Sequence, residues 1–312
     1  MADIVLVHGI DQQQKSADLL EKDWLPALAG GVRLAGFPDI ADSIWRNQVG
    51  PGSIDTRMAF YGNLFLKSGE QGVSSGDLTI EQQKVADDLA LEWLQRVAVR
   101  ASNPKDLSTA KREVGIALGL HGQEQGFGGV QRNIVKRLAK IRWFAPMGMG
   151  FAENFINQSL AQVTLYLTDD RIRTEALSTI DRLIDADTKV VIAHSLGSVV
   201  AYEAMQKLKH ELPLLVTLGS PLGLDTIVYP RLRPQPPCFP SKVKRWVNIA
   251  DRDDFIAAEP DLTHLFRAAM PSEAIFEGGY SVDNGSEPHS SNFYLSKIEI
   301  GKVLGEVFTI QQ

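Results

Sequence analysis

The chain has 312 residues, of which 44% are hydrophobic and 22% charged, with a formal net charge of −6. That balance suits a soluble globular protein with one large core, or one core plus an inserted subdomain. The acidic total, with no dense Lys/Arg run, argues against a nucleic-acid partner, and the single cysteine, Cys238, rules out an internal disulfide and fits a reducing compartment.

Met1-Ala2-Asp3 carries no basic leader and enters an apolar run at once. No stretch approaches the roughly 18–20 apolar residues of a membrane span. The expectation is a cytoplasmic protein without a transmembrane segment. Ile4-Val5-Leu6-Val7 is a continuous apolar run, as expected of a strand buried on both faces of a parallel sheet, and it ends in His8-Gly9-Ile10. A helical patch covers Leu19 to Leu28, and residues 30–55, rich in Gly and Pro, read as a long connection. Thr56 to Tyr61 reads as a second strand, stopped at Gly62.

Residues 67–165 break this rhythm. Gly69 to Gly76 is a polar loop, and Ile80 to Val99 is helical, with Val85, Leu89, Trp93 and Val97 on one face. Gly115 to Gly129 is glycine-rich, and Trp143, Phe144, Met147, Met149, Phe151 and Phe155 cluster just beyond it. Asp169 and Asp170 can cap a helix running to about Ala186. Strands at Lys189–His194, Leu214–Leu218 and Val243–Ala250 then alternate with helices. A weaker strand near Ala274–Phe276 and a last helix over about Ser296–Phe308 close the chain. The alternation predicts an α/β fold with a doubly wound, mostly parallel sheet.

The most informative segment is Val190-Val191-Ile192-Ala193-His194-Ser195-Leu196-Gly197-Ser198. A β-branched run stops at Ser195, small residues stand two places to either side, and an apolar helical pattern follows. This pattern holds a serine on a tight strand-to-helix turn, with Ala193 in place of the more usual glycine. A serine hydroxyl is a poor nucleophile near neutral pH, so it needs a base and a third group that orients the base. In parallel sheets such groups gather at the C-terminal ends of strands. Ser195, the carboxylates Asp251 to Asp254, and His289 occur there in that chain order.

These residues, with Val7-His8-Gly9-Ile10, Thr217-Leu218-Gly219-Ser220-Pro221 and Asn248-Ile249-Ala250-Asp251, make the chain resemble an α/β-hydrolase of the esterase/lipase type. The resemblance covers 1–66 and 166–312 as a catalytic core. It implies that 67–165 is an inserted, mainly helical cap or lid. It also implies Ser195 as nucleophile and His289 as base, with His264 a weaker rival. The family pattern of an aspartate before a small or apolar pair favours Asp254 as the acid, and Asp251 is the alternative. The unused carboxylates are expected to be solvated or paired with Arg252. Backbone N–H groups of Leu196 and Ile10 are the expected oxyanion donors. His194 is expected to pack or to hydrogen-bond locally.

The implied activity is cleavage of a carboxylic ester through an acyl-enzyme. The same residues serve a thioesterase, a phospholipase or an amidase equally well. No cofactor is implied, and no His/Cys/Asp set has metal-ligand spacing. The substrate is a small-molecule ester or a lipid. Trp143, Phe144, Met147 and Phe151 read either as packing of the insert or as an apolar wall for an acyl chain. A reading of another class is an interaction module that has lost catalysis, or one that a protein partner switches on through the insert.

Overall fold

A computed structural model describes residues 2–47, 53–66, 72–121, 129–140, 149–257 and 259–309. Six strands form one sheet: β1 (Ile4–Val7), β2 (Thr56–Ala59), β3 (Val190–His194), β4 (Leu212–Leu218), β5 (Val243–Asp251) and β6 (Ile275–Val282). Their order is β2-β1-β3-β4-β5-β6, and every neighbouring pair is parallel. The chain steps outward from β1 to β2. It then crosses back past β1 to β3 and advances strand by strand to β6. Parallel strands leave their C-terminal ends along one edge, so the segments after β1, β3, β4, β5 and β6 meet there.

Alternate residues of each strand feed opposite faces, and helices cover both. On one face Ile4, Leu6, Val190, Ile192, Leu214, Val216, Val247 and Ile249 pack with α1 (Ala17–Leu34), α2 (Pro38–Trp45), α10 (Ser291–Leu295) and α11 (Ile298–Thr309). On the other, Val5, Val7, Val191, Ala193, Leu215 and Trp246 join a larger core with α7 (Asp170–Asp181) and α8 (Leu196–Met205). The helices α3 (Ile80–Arg100), α4 (Pro104–His121), α5 (Gly129–Leu138) and α6 (Met149–Thr168) contribute to that same core through Trp93, Ala110, Leu138 and Leu160. The α9 turn (Thr263–Phe266) packs beside β6.

Local signals explain several helix starts. The Ser16 side chain accepts from Leu19 N–H at α1, Thr79 and Gln82 form a reciprocal capping box at α3, and Asp169 accepts from Arg171 and Ile172 N–H at α7. Two expectations need correction. Residues 30–55 are not simply a connection: α1 runs on through Gly30 and Gly31 to Leu34, and α2 follows. The last strand is eight residues long, not a short piece near Ala274–Phe276. Gly278 and Gly279 hid it, because glycine lowers strand propensity. Gly278 lies against α9, where an added Cβ would stand 2.4 Å from Thr263 Oγ1.

The Gly30-Gly31 pair shows why a helix-weakening dipeptide belongs inside α1. A Cβ at Gly31 would lie 2.6 Å from the Leu295 carbonyl oxygen and 2.7 Å from that of Lys297, at the end of α10. A Cβ at Gly30 meets nothing within 4 Å. Gly30→Ala should therefore leave stability unchanged or raise it by about 0.5–1 kcal/mol. Gly31→Ala should lower it by about 1–3 kcal/mol, because backbone must move. Denaturant melts of the two variants check this; equal effects would show that the α1–α10 contact does not constrain residue 31.

Candidate active site

β3 ends at His194, and the backbone then turns sharply. Ser195 has φ 55° and ψ −131°, a left-handed conformation that costs a non-glycine residue about 1–3 kcal/mol. Surrounding contacts over-determine the turn. The Ser195 N–H donates to Leu218 O at 3.0 Å, and α8 starts immediately, so Ser195 Oγ is left at the edge of the sheet. Close backbone approach explains the small residues. A Cβ at Gly197 would lie 2.2 Å from His8 O, and one at Gly9 would lie 2.6 Å from Ser195 Cβ.

Ser195 Oγ stands 2.8 Å from His289 Nε2, and His289 Nδ1 stands 2.7 Å from Asp254 Oδ2. All three residues are buried. The structure thus brings together the serine, histidine and first-choice aspartate that lie far apart in the chain. Asp254 Oδ1 accepts from the N–H groups of Ile256 (3.1 Å) and Ala257 (3.3 Å). Its Oδ2 accepts from His289 Nδ1 and from the Tyr294 hydroxyl at 2.9 Å. These donors fill the acceptor sites of an ionised carboxylate. Gly219, at φ +54°, passes beneath the pair; its Cβ would stand 2.8 Å from Asp254 Oδ2 and 3.1 Å from His289 Nδ1.

Asp251, the alternative acid, faces elsewhere. It is buried and accepts from the N–H groups of Asn284 and of Asp253, the latter at 2.7 Å. It is therefore neither solvated nor paired with Arg252. Burial pushes its carboxyl above the usual range, and the backbone donors oppose that shift. Its position fixes the loop that carries His289. Asp253 accepts from Ser102 N–H at 3.0 Å and from the Ser102 hydroxyl.

The segment after β1 lies beside this group, because β1 and β3 are adjacent with Val7 opposite Ala193. Tyr61 N–H donates to His8 Nε2 at 3.1 Å, so the His8 proton sits on Nδ1, which donates to Gly9 O at 2.7 Å. That bond fixes the 9–10 peptide plane, and in a trans peptide the Ile10 N–H points the opposite way. The next plane is also pinned: Ile10 O accepts from Gln12 Nε2 (3.0 Å), and Asp11 N–H donates to Gln162 Oε1 (3.1 Å). Gln162 lies on α6, and Gln158 of the same helix accepts from Gln13 Nε2 at 3.2 Å. Leu196 is the first residue of α8, where helix N–H groups lack intrahelical acceptors. Of the two expected oxyanion donors, the Leu196 N–H directly follows Ser195, and the Ile10 N–H belongs to the segment after β1, where Gly9 packs against Ser195.

His194 Nε2 donates to His289 O at 3.0 Å, and burial together with the neighbouring His289 holds its pKa well below the usual value. It is a neutral support for the His289 loop. His264 is exposed on α9. Sequence reasoning missed Tyr294, the α6 glutamines and Arg100. Arg100, at the end of α3, donates to the carbonyls of Asp251 (3.2 Å), Asp254 (3.4 Å) and Ala257 (2.8 Å). No local pattern marks any of them, since each acts across the fold. Trp143, Phe144 and Met147 lie outside the described residues, and Phe151 falls in the first turn of α6. Among the described residues no His/Cys/Asp/Glu group could hold a metal ion, and no helix is long and apolar enough to cross a membrane.

The arrangement can move a proton. A hydroxyl hydrogen-bonded to an imidazole can transfer its proton as it attacks a carbonyl, and a buried carboxylate stabilises the imidazolium that forms. The parallel sheet flanked by helices is compatible with an α/β-hydrolase. No protein-family model, curated protein sequence or solved structure matches this chain.

The neutral His8 makes a testable demand on stability. Burial lowers its pKa from 6.5 to about 4. The unfolded chain therefore binds this proton first as pH falls. The stabilisation is complete above about pH 6.5 and is lost as pH drops toward about 4, for a total of roughly 3 kcal/mol. The stability difference between wild type and His8→Gln should shrink by about that amount from pH 7 to pH 4 in denaturant titrations. A difference independent of pH would show that His8 is not buried as the neutral form.

Proposed function

We propose that the chain is a serine hydrolase of the α/β-hydrolase type that cleaves a carboxylic ester. The observation that carries this reading is the continuous Ser195 Oγ–His289 Nε2 and His289 Nδ1–Asp254 Oδ2 contact, at 2.8 and 2.7 Å. Ser195 Oγ attacks the ester carbonyl while His289 Nε2 takes its proton, forming a tetrahedral intermediate. The Leu196 and Ile10 N–H groups bind the oxyanion, each worth about 3–4 kcal/mol in a site of this kind. Collapse breaks the ester bond, and His289 returns the proton to the leaving alcohol. Water, deprotonated by His289, then releases the acid and restores Ser195. Asp254 orients the imidazole throughout.

In this reading the sheet with α1, α2 and α7 to α11 is the catalytic core, doubly wound about β1 and β3. Residues 67–165 form an inserted helical cap. Support for the cap comes from α3 and α6, which reach the loops on either side of Ser195 through Arg100 and Gln162. The reaction needs no group beyond the chain and water.

A fluorophosphonate probe tests the reading without knowledge of the natural substrate. It should label Ser195 in the folded protein, and Ser195→Ala should abolish labelling and lower ester turnover by about 10⁶-fold. Asp254→Asn should lower turnover by about 10⁴-fold, because the imidazole is then held in the wrong tautomer. Asp251→Asn should cause a much smaller loss. Folded protein that resists the probe, or equal losses at residues 251 and 254, would sink the assignment.

A further inference from the structure

We infer that Tyr294 is a positioning residue that sets how strongly Asp254 holds His289, through the hydroxyl proton it donates to Asp254 Oδ2. This rests on the hydrolase reading of the same site. Tyr294 lies in α10, five residues after His289, and is fully buried. Its hydroxyl oxygen accepts from Asp251 N–H at 2.7 Å and stands 2.9 Å from Asp254 Oδ2. An ionised carboxylate cannot donate, so the phenol proton is the one shared across the second contact. The result is a directed chain from Asp251 N–H through the Tyr294 O–H to Asp254 Oδ2, the oxygen that also receives the His289 Nδ1–H. Burial and the adjacent Asp254 push the ionisation of Tyr294 well above that of a free phenol, so the donor stays protonated at any working pH.

Two consequences follow for the imidazole. The first is geometric. Backbone N–H groups of Ile256 and Ala257 hold Oδ1, and Tyr294 holds Oδ2, so the carboxylate cannot rotate about Cβ–Cγ. His289 then meets one fixed oxygen at 2.7 Å. The second is electrostatic. A second donor on Oδ2 spreads its charge and weakens its pull on the His289 proton.

The other charged or titratable groups around the pair are committed differently. Arg100 on α3 acts on the Asp254 carboxylate by charge alone: its hydrogen bonds go to the carbonyls of Asp251, Asp254 and Ala257, and the leading charges acting on it are Asp254 and then Glu259. Asp251 on β5 takes backbone donors, Asp253 faces Ser102, and neutral His194 at the end of β3 donates to the His289 carbonyl. Among the described residues, Tyr294 is thus the side chain besides His289 whose donated bond reaches Asp254 Oδ2.

A role confined to anchoring α10 predicts only a loss of stability. Tuning of the site predicts a change in pH dependence. The measurement is the rate of fluorophosphonate labelling of Ser195 across pH, in wild type, in Tyr294→Phe, and in protein carrying 3-fluorotyrosine at position 294. Removing the donor strengthens the hold on the imidazolium, so the acidic limb of the profile should move up by about 0.5–1 pH unit in Tyr294→Phe. The plateau rate should fall about 3- to 10-fold as the carboxylate gains freedom to turn. Fluorotyrosine is a stronger donor of the same shape, and its acidic limb should move down. That variant decides the matter even where the phenylalanine protein is too unstable to assay. Wild-type protein that labels normally, with the acidic limb unmoved in the variants, overturns the inference alone. Wild-type protein that does not label overturns the hydrolase reading and this inference with it.

Discussion

Asp254 carries its carboxylate wholly inside the protein, where Ile256, Ala257, Tyr294 and His289 take the place of water around its oxygens. An ion in that position is tolerated only if nearly all of its acceptor sites are filled. Each donor needs its own element to be seated. Tyr294 requires α10, whose end abuts Gly31 of α1. His289 requires the loop after β6, which Asp251 holds through Asn284 N–H. The acid loop itself is gripped by Arg100 from α3. A local electrostatic demand thus ties together α1, α3, α10 and the ends of β5 and β6.

The serine side of the site obeys a different constraint, which is room. Gly9, Gly197 and Gly219 each stand where a Cβ would overlap backbone or a site side chain, at 2.6, 2.2 and 2.8 Å. They let the segments after β1, β3 and β4 converge until the Ser195 hydroxyl, the 9–10 peptide and the His289–Asp254 pair share one small volume. Ser195, like Asp11 in the segment after β1, keeps a side chain in a left-handed backbone conformation at this convergence. Its strain persists because the Leu218 carbonyl, the start of α8 and the neighbouring β1 loop together leave the turn no other arrangement.

These constraints explain what could be read in advance. The inner strands are continuous apolar runs with unmistakable ends, so β1, β3, β4 and β5 are visible to within a few residues. Ser195 is visible because steric need imposes small residues at fixed offsets from it. Asp254 and His289 are visible in chain order more than in local pattern. β6 and the second half of α1 are obscured by glycines, of which Gly278 has a tertiary reason at α9 and Gly31 one at the end of α10, while Gly30 faces open space. Tyr294, Arg100, Gln158 and Gln162 leave no trace in the sequence. Their partners lie between 40 and 157 residues away, and a lone polar residue on a helix reads as solvated until the opposing surface is known.

The residues that escaped reading also change how the segment 67–165 is understood. Its helices do not simply sit over a finished site. Gln162 of α6 holds the peptide after Ile10, and Gln158 and Gln162 both bond Gln13. Arg100 of α3 holds the loop carrying Asp254, and Trp93 packs edge-on against Phe255. Apolar contacts can slide at little cost, but these hydrogen bonds cannot. Moving α3 or α6 as a body would leave buried carbonyls and amides without partners, at about 1–3 kcal/mol each. It would also release the two loops that flank Ser195. Displacing these helices would disorder the Ser195, His289 and Asp254 group together with the loops around it.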